Sequence, residues 1–315
     1  MSPLEIFLGT LEITLPVFAM VFIGLVLKRV GWIDQGFVAT ASALVFKATM
    51  PTLIFLSLIK ADIETAFHPW LMVYFALATL ASFLISWAWA LWRVSHAERG
   101  VYVQGAFRGN CGIVGLALAA SMYGDYGLSA GGLLLGVVIL SYNVLSVIVL
   151  AAYRPGKEAN WHSIVKHVAR NPLILAVLTA LPFAMLEIGL PGWLMTSGEY
   201  FASLTLPLAL ICIGATLSVN ALRQSYGPAV GASLLKMVTL PILATGGAWL
   251  VGFSGRELGL LFLFFASPTA AASFVMVKAM GGNAKLAANI IAISTLMASL
   301  SVTAGIFALK LLGLI

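Results

Sequence analysis

The sequence predicts an all-α membrane protein of ten transmembrane helices, arranged as two inverted five-helix repeats with helices 4 and 9 interrupted at matching places. Three observations predict it. Of 315 residues, 61% are hydrophobic and 9% charged, against about 25% charged in a soluble domain. Ten apolar runs come near the roughly 20 residues that carry a helix across about 30 Å of hydrocarbon. Continuous runs of that length exclude a barrel, whose strands alternate over about 10 residues. The third observation is a repeat at a shift of 156–157 residues.

The expected spans, in order, are 6–27, 37–59, 70–92, 101–122, 128–152, 172–188, 200–219, 228–251, 258–277 and 286–309. The opening MSPLEIFLGTLEITLP lacks the basic region and small-residue cleavage site of a signal peptide, so span 1 is expected to be retained. Span 2 carries Lys47 and Pro51. Trp87, Trp89 and Trp92 at the end of span 3 read as interfacial anchors. Span 4 contains Arg108-Gly109-Asn110-Cys111-Gly112 near its middle, and span 9 has Ala266-Ser267-Pro268-Thr269-Ala270 at the matching place. Residues 1–152 form the first repeat, 153–170 a cytoplasmic linker and 171–315 the second repeat.

The net charge of +6 does not indicate a nucleic-acid partner, because the bases sort by loop. Loops 1–2, 3–4, 5–6, 7–8 and 9–10 hold eleven (Lys28, Arg29, Arg93, Arg99, Arg154, Lys157, Lys166, Arg170, Arg223, Lys278 and Lys285), and the other side only Lys60, Arg256 and Lys310. By the positive-inside rule both termini face outward and the 5–6 loop is cytoplasmic, so a multi-pass plasma (inner) membrane protein is expected. Cys111 and Cys212 lie inside spans and predict neither a disulfide nor a metal site. His68, His96, His162 and His167 fall in loops, the last two at a spacing that misses one helix face.

The repeat brings Pro16 onto Pro172, Pro51 onto Pro207, Asn110-Cys111 onto Ser267-Pro268, and Gly124 onto Gly281. Five spans is an odd count, so the second copy enters the membrane from the opposite side. Inverted repeats of this kind characterise secondary transporters, whose substrates bind near the midplane where interrupted helices of both copies approach. Proline in a helix removes a donor and clashes with the preceding turn, at about 3 kcal/mol. Freed backbone groups survive in hydrocarbon only where protein or a watery cavity satisfies them. A kink with glycines for close packing explains either break alone; matched breaks point to a site.

Along these residues the sequence resembles the auxin efflux carrier family. The resemblance is carried by ASALVFKATMPTLIFLSL in span 2, FRGNCGIVGLALAASMYGD in span 4, LPLALICIGATLSV in span 7 and FASPTAAASFVMVKAMGGNAKLAANIIAISTLMASLSV through spans 9 and 10. It implies a fold shared distantly with bile-acid sodium symporters: a scaffold of spans 1, 2, 6 and 7, and a transport domain of spans 3–5 and 8–10. In that fold broken helices 4 and 9 cross near the midplane beside the substrate. Carried onto this chain, the crossing falls at Asn110-Cys111-Gly112 and Ser267-Pro268-Thr269. The family commonly has a proline soon after the span 4 glycines, where this chain has Gly115-Leu116-Ala117. The short 153–170 linker resembles prokaryotic members.

Ionisable groups in a span are functional candidates by default, at a cost of at least about 2.5 kcal/mol each at mid-helix. Lys47, Arg108 and Lys236 are all cations, and no acid lies clearly at the membrane centre. Arg108 and Lys236 are also near enough to span ends to snorkel; Lys47 is about 16 Å deep at 1.5 Å per residue. The missing counter-charge is expected to arrive with the substrate, so Lys47 and Arg108 join the crossing residues as candidate substrate contacts. Ser141, Tyr142, Asn143, Asn289, Ser294, Thr295 and Ser299 of spans 5 and 10 form a second rank, with interhelical hydrogen bonding as their simpler use.

The expected function is a secondary carrier of small organic anions, malonate- or malate-like or auxin-like acids, by alternating access of elevator type. The alternative is a sodium-coupled symporter of bile-acid type with Asn110, Ser267 and Thr269 as oxygen ligands; a channel is the third option. No cofactor beyond sodium is expected, the partners are the substrate and lipid, and a homodimer is compatible with the resemblance. An intramembrane enzyme is not expected: the sequence has neither a carboxylate pair in the spans nor H-E-x-x-H, and a G-x-x-x-x-G-K-[ST] nucleotide loop is also missing.

Overall fold

The computed structural model describes residues 2–60, 68–153, 172–217 and 227–315. Every regular element among them is a helix, which follows from apolar segments whose backbone groups must bond within themselves. Among the described residues seven helices are long and apolar enough to cross a membrane: Pro3–Arg29, Gln35–Lys60, Pro69–Arg93, Cys111–Ala152, Gly192–Thr216, Gly227–Leu250 and Ala284–Leu311.

The remaining expected spans differ from continuous helices for local reasons. Span 4 is split into Arg99–Phe107 and a segment that restarts at Cys111. Span 9 is split into Gly255–Phe265 and Ala272–Ala279. Span 6 is the short helix Pro172–Met185, and the chain leaves it through Glu187 at φ 52. The 42-residue stretch Cys111–Ala152 is too long for one crossing. Gly124, at φ 55 and ψ −132, reverses it, a left-handed turn open to glycine. Gly127 then lies against Ala119, where an added Cβ would come 2.1 Å from the Ala119 carbonyl oxygen. Expected spans 4 and 5 are therefore a tight antiparallel hairpin. Gly281, at φ 75, ends the second half of span 9 at the place that Gly124 ends the second half of span 4.

Span 7 was expected from 200 but its helix begins at Gly192, with a slight break between Ser203 and Thr205. Thr196, Ser197 and Glu199 interrupt the apolar pattern there, and Glu199 pairs with Lys60 at the end of span 2. The linker at 154–170, with Arg154, Lys157, His162, Lys166, His167 and Arg170, lies outside the described residues, as does Arg223.

Three π-helical turns occur among the described residues: Val45–Thr49 in span 2, Cys111–Gly115 at the restart of span 4 and Leu235–Thr239 in span 8. Pro51 and Pro241 come two residues after the turns of spans 2 and 8. A proline has no amide to donate and crowds the turn before it, and widening that turn is one of the few ways a helix passes through the residue.

Spans 1 and 7 pack backbone to backbone. A Cβ on Gly24 would lie 2.1 Å from the Ile211 carbonyl oxygen, and one on Gly214 would lie 1.8 Å from that of Val21. Glycine at both places lets the helices approach as small residues do in membrane bundles. Span 2 meets span 6 through Phe55 and Phe183. On the other side Phe75 of span 3 stacks on Phe265 and meets Phe264 and Tyr142 edge-on or tilted, while Tyr74 donates to the Ala244 carbonyl of span 8 at 2.5 Å. The two interrupted helices sit between these groups.

Candidate functional site

The two breaks meet. Gly109 and Thr269 form an isolated antiparallel bridge: the Asn110 amide donates to the Pro268 carbonyl at 2.7 Å, and the Ala270 amide donates to the Arg108 carbonyl at 3.1 Å. Both strands are extended only over a few residues, with Arg108 at φ −80, ψ 99 and Asn110 at φ −86, ψ 54. The sequence dictates this locally. Pro268 cannot continue the helix that precedes it, and Gly109 and Gly112 weaken the other. Each broken segment supplies the hydrogen bonds that the other lost, as buried backbone requires.

Side chains complete the exchange. Thr269 Oγ1 donates to the Gly105 carbonyl at 2.7 Å, Ser267 Oγ to the Leu263 carbonyl at 2.8 Å, and the Cys111 thiol to the Phe264 carbonyl at 3.2 Å. The Thr269 amide donates to Ser294 Oγ at 3.1 Å. Ser267 is fitted so closely that a Cβ on Gly115 would stand 2.7 Å from its oxygen. Glycine at 115 thus lets the second half of span 4 lie against the crossing.

The second halves of both helices start at the crossing. Amides at the start of Cys111–Gly115 and of Ala272–Ala279 carry the positive ends of their helix dipoles, about half a charge each. Gly112, Ile113 and Ala271 are half-buried there, not sealed. Beside them lies a cavity of about 200 Å³, lined by Ile113 and Ala271 of the crossing, Ser42, Val45, Phe46 and Met50 of span 2, and Ala209, Cys212, Ile213 and Thr216 of span 7. The Asn110 side chain is 9% exposed and has no hydrogen-bond partner among the described residues.

Two cations are buried nearby. Arg108 does not snorkel: its Nη1 donates to Ser146 Oγ at 3.0 Å, Met276 Sδ at 3.0 Å and the Tyr142 carbonyl at 3.4 Å, and its Nη2 donates to Asn143 Oδ1 at 3.1 Å. Lys236 is 1% exposed and donates to the Phe265 carbonyl at 2.7 Å. Neither has an acidic partner, and the buried polar residues include no Asp or Glu among the described residues. Arg108→Met is expected to lower stability by about 2–3 kcal/mol, because Asn143 and Ser146 lose a charged donor and buried acceptors left unmade cost ~1–3 kcal/mol. Denaturant unfolding in detergent measures it, and an unchanged midpoint would remove Arg108 from the structural account.

Of the candidates read from sequence, Asn110, Cys111, Gly112, Ser267, Pro268 and Thr269 are brought together at the crossing. Arg108 is in the same assembly but is held by spans 5 and 9. Lys47 is exposed on its π-helical turn and is not among the cavity-lining residues, whereas its neighbours Val45 and Phe46 are. Tyr142 and Asn143 serve Arg108, and Asn289 is buried. Thr295 and Ser141 bond back to their own helices, at 2.7 Å to Ile291 and Val137, and Ser299 does the same at 2.9 Å. Sequence reasoning missed the wall supplied by spans 2 and 7 and the position of Lys236. Prolines four residues after Lys47 and five after Lys236 were the available signal of widened turns.

The family described as "Membrane transport protein" matches residues 10–306. An "uncharacterized transporter" of Methanothermobacter thermautotrophicus is 26% identical over 301 residues, covering 94% of this chain and 97% of that protein. A second, of Methanocaldococcus jannaschii, is 24% identical over 295 residues, with 90% and 94% covered. A third, of Escherichia coli, is 21% identical over 302 residues, with 91% and 94% covered.

Proposed function

Because the chain belongs to the membrane transport protein family, the auxin efflux carrier family that its motifs resemble, we propose that it is a secondary carrier of small organic anions and binds them in the cavity beside the crossing. The observation that carries this reading is the pair of half-helix N-termini opening on one cavity through Ile113 and Ala271, with Asn110 unpartnered at the crossing and no buried acid among the described residues to compete. Helix N-termini attract anions through free amides and the dipole together. A cavity of about 200 Å³ is smaller than the roughly 300–1,000 Å³ of drug-sized pockets, which suits a short carboxylate.

We also infer the ten-span inverted repeat. Its support is the paired breaks at 108–110 and 266–271, the paired left-handed residues Gly31 with Glu187 and Gly124 with Gly281, and the packing of span 1 on span 7 and of span 2 on span 6. The cavity lies between that scaffold and the crossing, so movement of one against the other carries the bound anion from one face to the other. With the cell interior negative, export of an anion needs no coupled ion, since each charge gains about 2.3 kcal/mol per 100 mV.

Purified protein in proteoliposomes, offered radiolabelled malonate, malate and an aromatic acid of the auxin type, tests the reading. Saturable uptake of at least one, competed by unlabelled acid, is expected. Transport and competition by none of them sinks the anion-carrier reading, and ohmic current without saturation makes the protein a channel.

A further inference from the structure

We propose that the apolar groove between spans 1 and 10 is a binding site for an anionic phospholipid, whose acyl chain lies along span 1 and whose headgroup meets Lys28 and Arg29. The site stands whether or not the protein carries anions.

Spans 1 and 10 run antiparallel, since Phe7 meets Phe307 edge-on at 5.8 Å and Thr14 Oγ1 lies 3.0 Å from Thr303 Oγ1. The groove between them holds about 740 Å³ and follows span 1 from Phe7 to Leu27, while span 10 contributes Ser299, Leu300 and Thr303. Past the threonine pair, Phe18 to Leu27 covers about 14 Å at 1.5 Å per residue, close to half of the ~30 Å hydrocarbon core. That is the reach of one leaflet's acyl chain.

The lining selects hydrocarbon. Its three hydroxyls are already committed: Thr14 donates to the Thr10 carbonyl at 3.1 Å, Ser299 to that of Leu296 at 2.9 Å and Thr303 to that of Ser299 at 2.7 Å. Every other lining side chain is aliphatic or aromatic, so a carboxylate would find no donor there. A helix of a second copy is about 10–12 Å across and cannot enter between helices already joined at Phe7–Phe307 and Thr14–Thr303; a chain of methylenes can.

Charge sets the lipid's direction. Lys28, half-buried, and Arg29, exposed, follow directly on Leu27, and Trp32 beyond them is 80% exposed, as aromatic side chains are at headgroup level. The start of span 10 lies on the same side and carries exposed Lys285. The opposite end of span 1 carries exposed Glu5 and Glu12. Basic groups beside membrane helices recruit anionic headgroups, and the acids disfavour one at the other end. Span 1 is fitted to span 7 through Gly24 and Gly214, and span 10 holds the crossing through Ser294. A lipid in the groove therefore joins the helix behind the cavity wall to the helix behind the crossing.

Purified protein in detergent is titrated with dioleoyl phosphatidylglycerol and, separately, with dioleoyl phosphatidylcholine. The anionic lipid is expected to raise the melting temperature saturably by about 3 °C or more, the order that one bound ligand gives a chain of this size, and the zwitterionic lipid by less than about 1 °C. Lys28→Gln together with Arg29→Gln is expected to abolish that difference. Ala19→Trp, which fills the groove from an exposed position, is expected to abolish the response to both lipids. Equal shifts by the two lipids in the wild type mark ordinary solvating lipid and overturn the proposal, as does an undiminished anionic response in Ala19→Trp. Cross-linking of Ala19→Cys between two chains in native membranes, above the wild-type level, assigns the groove to a second copy and overturns it too. The wild-type comparison and the cross-link decide the matter even if the filled variant does not fold.

Discussion

Asn110→Ala is expected to reduce carboxylate uptake about tenfold or more, since a hydrogen bond to a charged group is worth ~1.5–3 kcal/mol and 1.4 kcal/mol is a factor of ten. Stability should hardly change. The side chain is nine-tenths buried yet bonds to nothing among the described residues, so its loss breaks no internal contact. The backbone of residue 110 carries the structural work: its amide donates to Pro268 and its carbonyl accepts from Val114 at 3.0 Å and Gly115 at 3.2 Å. Alanine keeps both. Uptake and thermal melting of the same preparation separate the roles, and a large fall in melting temperature with uptake retained per folded molecule would assign Asn110 to the fold instead.

Gly214→Val is expected to have the largest effect on folding, with loss of monodisperse protein on size-exclusion chromatography. The added Cβ would lie 1.8 Å from the Val21 carbonyl oxygen and 2.9 Å from the Leu25 amide nitrogen. Those atoms are helix backbone and cannot rotate aside. Overpacking a well-fitted core already costs ~1–3 kcal/mol when side chains can adjust. Here spans 1 and 7 must separate along their contact. Gly24 occupies the reciprocal place against Ile211. By contrast Gly246 has open space around its Cβ position, so Gly246→Ala should give normal yield and melting. Equal behaviour of Gly214→Val and Gly246→Ala would contradict the packing.

The breaks in spans 4 and 9 were legible because their causes are local: Pro268 lacks a donor, and Gly109, Asn110 and Gly112 are poor helix formers in one short run. The membrane class and the spans of unbroken hydropathy were legible for the same reason. Helix ends were less so. The span 7 helix starts at Gly192 and Glu199 on it pairs with Lys60, whereas hydropathy reads the polar Thr196, Ser197 and Glu199 as loop. The fates of the three cations were hidden because they depend on distant residues. The groups that hold Arg108 come from positions 142, 143, 146 and 276, and the Lys236 acceptor is at 265. By local spacing both had the option of snorkelling, and both are buried. Lys47, the deepest by counting residues, is the one that is exposed. Depth along a helix gives no information on which way around it a side chain faces. The cavity wall from spans 2 and 7 was hidden likewise, since Val45, Phe46, Ala209 and Ile213 look like any lipid-facing apolar residue until the helices are packed.

The central claim, that a small organic anion binds at the paired N-termini beside the crossing, is tested most directly at Ala271. This residue is half-buried, lines the cavity and immediately precedes the helix Ala272–Ala279. Ala271→Cys is made together with Cys212→Ser, which removes the native thiol from the same cavity, and its reaction with an anionic and a cationic thiosulfonate is timed. A positive site draws the anionic reagent, and a thiol at a helix N-terminus is activated as thiolate. The predicted result is faster modification by the anionic reagent, slowed by a carboxylate that the protein transports and not by its uncharged amide. Faster modification by the cationic reagent, with no protection by any carboxylate, would contradict the account.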